Sequence, residues 1–230
     1  MKKLLSALLV LVGVLSLTCN VYAAPKIEST YDLPKDNVAA LANPDRNYLI
    51  VVNDTHPIDL NGDYINKLQP DLVYFPNVVD GDTMAIEKAA YLAFTRMQYD
   101  LENNDGIRIG LYDAYRTAKD QTFLIENGIV ADTAALPGYS EHHTGLLLDV
   151  VVLHKGKWCS ESEARKNWNC FKKLHAKMAD YGFISRYPAG KECITGVPSI
   201  PYEIRFVGNS VVAHAITDNG LCLEEFLGLQ

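Results

Sequence analysis

Residues 137–149 read PGYSEHHTGLLLD. A loop bearing glycine, serine and two adjacent histidines runs into LLLDVVVL (146–153), an apolar run that predicts a central strand covered on both faces. Asp149 interrupts that run. A carboxylate inside a buried strand is costly unless it is paired or holds a metal ion. His142 stands seven residues earlier, and Gly145 between them lets the chain fold back so that both side chains reach one point. Neutral imidazole and carboxylate are both zinc ligands. A plain His–Asp hydrogen bond is the competing reading. His143, the next residue, is expected to face elsewhere.

Outward from this strand the pattern is mixed. YLIVV (48–52) predicts a short strand. Residues 82–104 predict a helix, with Ile86, Ala89, Ala90, Ala93 and Met97 on one face and Asp82 or Thr83 as its cap. IRIGLYDAYR (107–116) predicts a strand. A helix over 117–127 follows, capped by Thr117 and stopped at Gly128. A further helix is expected over 162–181, ending at Gly182, then a strand at IRFVG (204–208) and a short helix in CLEEFLGL. Without strict strand–helix alternation, this order implies a single α+β domain, a mainly antiparallel central sheet flanked by helices.

The 230 residues are 48% hydrophobic and 21% charged, an ordinary globular balance. The first 23 do not read as part of the fold. MKK is a positive start, LLSALLVLVGVLSL is too short for a stable span, and VYA offers a cleavage site after Ala23. A secretory signal peptide is expected over 1–23, an N-terminal arm over 24–45 and the domain over 46–230. The mature protein is then exported to the periplasm, cell envelope or exterior, with no membrane span. The formal net charge of −7 argues against nucleic acid or anionic lipid as partner.

Beyond the leader lie Cys159, Cys170, Cys193 and Cys222. An even number in an exported chain suggests disulfides. Of three possible pairings, Cys159–Cys170 with Cys193–Cys222 is favoured, and buried free thiols are the alternative. No CxxC pair supports a four-cysteine zinc site.

The opening stretch also resembles a known motif. Ser140-x-His142-x-x-Gly145-x-Leu147-x-Asp149 is similar to the SxHxxGxAxD signature of VanY-type D-alanyl-D-alanine carboxypeptidases, with Leu147 where alanine is usual. YLIVVNDTHPID, YDAYRTAKDQ, YGFISRYPAGKECITGV and RFVG resemble further elements of that family in the same order, covering about residues 46–228. The resemblance implies the zinc-carboxypeptidase fold shared with hedgehog-like and DD-peptidase domains. It also implies one zinc ion and a peptidoglycan stem peptide ending in a D-amino acid as substrate. A monomer is expected.

The resemblance further implies roles for single residues. His142 and Asp149 are metal ligands. Arg116 binds the substrate's terminal carboxylate, a task that suits its fixed fork of donors. Gln121 supports Arg116, and Ser140 and Asp113 belong to the substrate side, Asp113 replacing a usual serine. In the C-terminal element, Pro201 and RFVG fix the register. Ile200 then stands in place of the general-base glutamate and Glu203 in place of the third ligand, a histidine. Glu203 can still ligate zinc, and a His-Asp-Glu set is more negative than one with two histidines. Alternatively Glu203 is the base and His175 or His214 completes the metal site, although a packing or surface role is the simpler reading of each. Two functions are therefore carried forward: a divergent zinc carboxypeptidase, weakly active, or an inactive module that binds cell-wall peptides through the retained pocket.

Overall fold

The computed structural model describes residues 43–129, 134–159, 163 and 171–229. The expected leader and nearly all of the N-terminal arm lie outside them. In chain order the elements are α1 (Asp63–Leu68), β1 (Leu72–Pro76), β2 (Thr83–Glu87), α2 (Lys88–Asp105), β3 (Ile109–Asp113), α3 (Ala118–Glu126), β4 (Leu147–His154) and β5 (Lys157–Trp158). They continue with α4 (Lys172–His175), β6 (Phe183–Tyr187), α5 (Glu192–Thr195), β7 (Ile200–Phe206), α6 (Ser210–Thr217) and α7 (Leu223–Leu227). The main sheet has the order β3-β4-β7-β6, every ladder antiparallel, with β5 added to β4. β1 and β2 form a separate hairpin. This is the α+β architecture expected from the sequence. Among the described residues no helix is long and apolar enough to cross a membrane.

Strand β4 lies at the centre of the sheet, and its period of two sorts the molecule into halves. Leu148, Val150 and Val152 join the main core with Ala89, Ala90, Ala93, Phe94 and Met97 of α2. Ile204 and Phe206 of β7 enter the same core. Leu147 and Asp149 point to the opposite face, which therefore carries the polar chemistry. α2 ends where Gly106 turns left-handed at φ 66°, a conformation that costs glycine little. α3 starts with a reciprocal cap between Thr117 and Asp120, as Thr117 led one to expect.

Several local expectations are corrected. Residues 83–87 are a strand, and the helix begins only at Lys88, capped by the Glu87 carboxylate on Ala90 N at 2.9 Å. The apolar spacing fits a helix from Ala89 onward, but β1 offers Thr83–Glu87 a complete ladder, and Ile86 is buried either way. YLIVV is not a strand. Its carbonyls are taken by an arginine instead: Arg205 Nη2 donates to Tyr48 O at 3.2 Å and Ile50 O at 2.8 Å. Tyr48, Val51 and Val52 go to three different clusters, which an alternating strand cannot do. The strand expected at 204–208 starts at Ile200, so Glu203 lies within the ladder. β6 was not foreseen as a strand. Of the helix expected over 162–181, the described part is α4 and a 3-10 turn, Met178–Tyr181, closed by Gly182 at φ 81°. Residues 162 and 164–170 of that span lie outside the described residues.

The Cys193–Cys222 disulfide is not formed. Both are free thiols, Cys193 exposed and Cys222 buried at the start of α7, so one sulfur faces solvent and the other the interior. Cys159 is buried, and its expected partner Cys170 lies outside the described residues.

Candidate functional site

The sheet places three carboxylates in one row. Asp113 of β3 pairs with Asp149 of β4, and Asp149 pairs with Glu203 of β7. The first pairing depends on a β-bulge. Leu111 faces Val150 and Asp113 faces Asp149, so two steps on β3 match one on β4. Bulges commonly re-aim a side chain beside a site. Like charges directly opposite one another are destabilising, so something in the site must offset them.

Arg116 is one such group. Its Nε donates to Asp113 Oδ2 at 2.7 Å, and its Nη2 lies 2.6 Å from the same oxygen. Nη2 also faces Asp149 Oδ2 at 3.4 Å, and Nη1 faces Gln121 Oε1 at 3.4 Å. Burial opposes the charge on Arg116, but Asp113, Asp149 and Glu203 outweigh it and hold the guanidinium above its usual pKa. Burial pushes the Asp113 carboxyl up, with Arg116 acting against that rise. Gln121 is anchored by its Nε2 on Ala135 O at 2.7 Å.

His142 comes from a 3-10 turn, Glu141–Thr144, that runs beside the end of β3. Three bonds fasten the two segments. His142 Nδ1 donates to Ala114 O, Arg116 N donates to His142 O, and His143 Nδ1 donates to Arg116 O. His143 Nε2 accepts from Gly138 N, which fixes its tautomer. With Nδ1 of His142 committed as donor, Nε2 presents a lone pair to the carboxylates. Burial, followed by Arg116, holds His142 well below its ordinary pKa, so the ring is neutral and able to ligate.

His142, Asp149 and Glu203 offer ligand atoms that all lie within 4.8 Å of one another. His142 Nε2 and Asp149 Oδ1 are 3.7 Å apart, too far for a hydrogen bond. Two donors at roughly 2.0–2.2 Å from one tetrahedral ion sit roughly 3.4 Å apart, so this spacing fits a shared zinc ion. Catalytic zinc sites commonly use three protein donors, the number gathered here among the described residues.

The other sequence candidates fall elsewhere. His175 Nε2 is 2.7 Å from Pro201 O, and the ring lines a cavity of about 580 Å³ with Met178, Ile184, Ile216 and Leu221. His214 bonds Asp180 and Asp218 on the surface of α6. Neither joins the ligand group found among the described residues. Ile200 is buried in the main core. Ser140 is buried just before the 3-10 turn, its carbonyl accepting from His143 N.

Sequence reading missed what holds the turn in place. Glu141 accepts from Nε of both Arg186 and Arg205, the latter at 2.6 Å, and Arg186 also donates to Glu224 at 2.7 and 3.0 Å. All four residues are at most 3% exposed. The signal was faint: single arginines inside the apolar runs FISRY and IPYEIRF.

Comparison with known proteins places the chain in a family. The family model of VanY, D-alanyl-D-alanine carboxypeptidase, matches residues 83–209, more than half the chain. The bifunctional D-Ala-D-Ala dipeptidase and D-Ala-D-Ala carboxypeptidase VanXYC of Enterococcus gallinarum is 31% identical, over 78% of this chain and 93% of that protein. The LdcB LD-carboxypeptidase structure, described as revealing the basis of peptidoglycan recognition, aligns with a TM-score of 0.66. It is 29% identical and covers 79% of this chain and 86% of its own. A mutant of the D,D-pentapeptidase VanY from a VanB-type resistance cassette, in complex with Zn(II), aligns with a TM-score of 0.59. It is 26% identical and covers 78% and 98%.

Proposed function

Because the chain belongs to the VanY family of D-alanyl-D-alanine carboxypeptidases, we propose that it is an exported zinc carboxypeptidase that trims peptidoglycan stem peptides ending in a D-amino acid. The observation that carries this reading is the convergence of His142, Asp149 and Glu203 beside the Arg116 guanidinium. His142 Nε2 and the two carboxylates would hold zinc. Bound there, the ion supplies Lewis acidity that polarises the scissile carbonyl and lowers the pKa of water toward neutrality.

The chain's own groups do the rest. Ala114 O keeps His142 in the tautomer that points Nε2 at the carboxylates. Arg116 orients the peptide through its terminal carboxylate, with Gln121 steadying Nη1 and with Ser140 and Asp113 on the substrate side. Zinc-ligating carboxylates are in turn held by neighbouring donors, and Arg116 serves Asp149 in this way. Ile200 supplies no proton-accepting atom. General-base catalysis contributes about 10²–10⁴-fold, so turnover is expected to be slower than in a site with the base present by about that factor.

A second reading has its own support. Ile200 is packed into the main core, so the base position is built as structure. A binding module that holds stem peptides without cutting them follows from that. Metal analysis of the purified protein, followed by assay of D-alanine release from a pentapeptide stem, separates the two. One zinc per chain with slow release supports the carboxypeptidase. A metal-free protein that binds the pentapeptide and leaves it whole supports the binding module and sinks the enzyme reading.

A further inference from the structure

Arg116 offers five N–H donors in a planar fork, and a side chain of the protein already holds its side-on edge. Asp113 Oδ2 lies 2.7 Å from Nε and 2.6 Å from Nη2. The end-on edge is less committed, with Asp149 and Gln121 each at 3.4 Å. A carboxylate arriving at this arginine therefore meets it through the end-on edge only. It also arrives beside three acids in a row, Asp113, Asp149 and Glu203. Of the ion-paired two, the side chain of Asp113 is 22% exposed and that of Arg116 13%, so the rival carboxylate stands on the more open side.

We infer that Asp113 is a specificity-determining residue: by occupying the side-on edge of Arg116 it weakens the site's demand for a free C-terminal carboxylate. This rests on the reading above, in which Arg116 receives the peptide's terminus. The substrate class widens accordingly, to peptides whose end beyond the scissile bond is an amide as well as a free acid. Asp113 does this without touching the scissile bond, by changing what Arg116 has left to give. Charge-assisted bonds to a carboxylate are the strong ones, so the effect of removing the rival charge is large for an acid and absent for an amide.

The test is calorimetric titration of the zinc-loaded full chain with a pentapeptide ending in D-Ala-D-Ala and with its C-terminal amide. Wild type, Asp113→Asn and Asp113→Ser are compared. In wild type the two dissociation constants are expected to agree within about tenfold. In both variants the acid tightens by about tenfold or more while the amide stays unchanged, and any turnover shows the difference in KM rather than kcat. The wild-type comparison needs no variant to fold. An acid preference of about a hundredfold already present in wild type overturns the inference. So does an unchanged acid-to-amide ratio in both variants, or an equal shift of the two peptides. If none of the proteins binds either peptide, the carboxypeptidase reading falls and this inference falls with it.

Discussion

Two clusters of charge lie close together in this protein, and they are built on opposite accounts. Glu141, Arg186, Arg205 and Glu224 form a balanced set of two acids and two arginines, all at most 3% exposed and joined by short bonds. Asp113, Asp149, Glu203 and Arg116 form an unbalanced set of three acids and one arginine, beside a neutral imidazole. Desolvated charges persist only when paired and bonded. The first cluster meets that condition with protein atoms alone and has no need of a ligand. The second sets one arginine against three acids among the described residues, and a bound cation would bring it nearer to balance. Charge balance thus separates a self-sufficient, buried ion cluster from a partly open one that a cation would complete.

The largest expected effect comes from breaking the balanced set. Glu141→Ala leaves two buried guanidinium groups facing each other, and a loss of about 3–5 kcal/mol is expected in urea unfolding. A loss under about 1 kcal/mol means that the cluster is not the clamp it looks like. Next is the unbalanced set, where the cation should count. Zinc at about a hundred times its dissociation constant should stabilise the protein by about 2.7 kcal/mol in thermal unfolding. Asp149→Asn should abolish that gain while costing the zinc-free protein far less than Glu141→Ala does. Equal zinc stabilisation of wild type and Asp149→Asn would place the metal elsewhere.

Ring for ring, the smallest effect is in pH. His142, His143 and His175 are all held below the ordinary histidine pKa, chiefly by burial. Below about pH 6.5 the unfolded chain takes up protons on these rings that the folded chain refuses. Folding stability should therefore fall as pH drops from about 6.5, by at most about 1.4 kcal/mol per pH unit for each ring, until its folded pKa is reached. His175→Gln should remove about a third of that slope without altering zinc binding. A flat stability profile between pH 7 and pH 5 contradicts the neutral assignment.

How much of this was legible depended on distance along the chain. His142 and Asp149 could be read because a lone acid in an apolar strand is conspicuous and its partner is seven residues away. Glu203 was placed by register from Pro201 and RFVG. The departure at Asp113 was visible, but not its grip on Arg116, which needs the bulge in β3. Glu141, Arg186 and Glu224 were beyond reach, since their bonds span 45 and 38 residues. Two of the local misreadings share a cause. At 82–87 and at 48–52 the apolar pattern was real, but tertiary partners decided the backbone: β1 in one case, the Arg205 guanidinium in the other.

Arg205 has a consequence for how the protein comes to be folded. Its guanidinium ties Glu141, one residue before His142, to the carbonyls of Tyr48 and Ile50, which lie 157 and 155 residues from Arg205. Glu224, on α7, closes the other end through Arg186 and reaches Asn53 across 171 residues. Contacts of such high order form late, because their loop-closure entropy is met before their bonds reward it. The turn that carries His142 is thus anchored only once both ends of the domain have docked. On the proposed zinc reading, metal capture would then come near the end of folding, and a chain still emerging, or cut short of Glu224, would lack an anchored site for the ion.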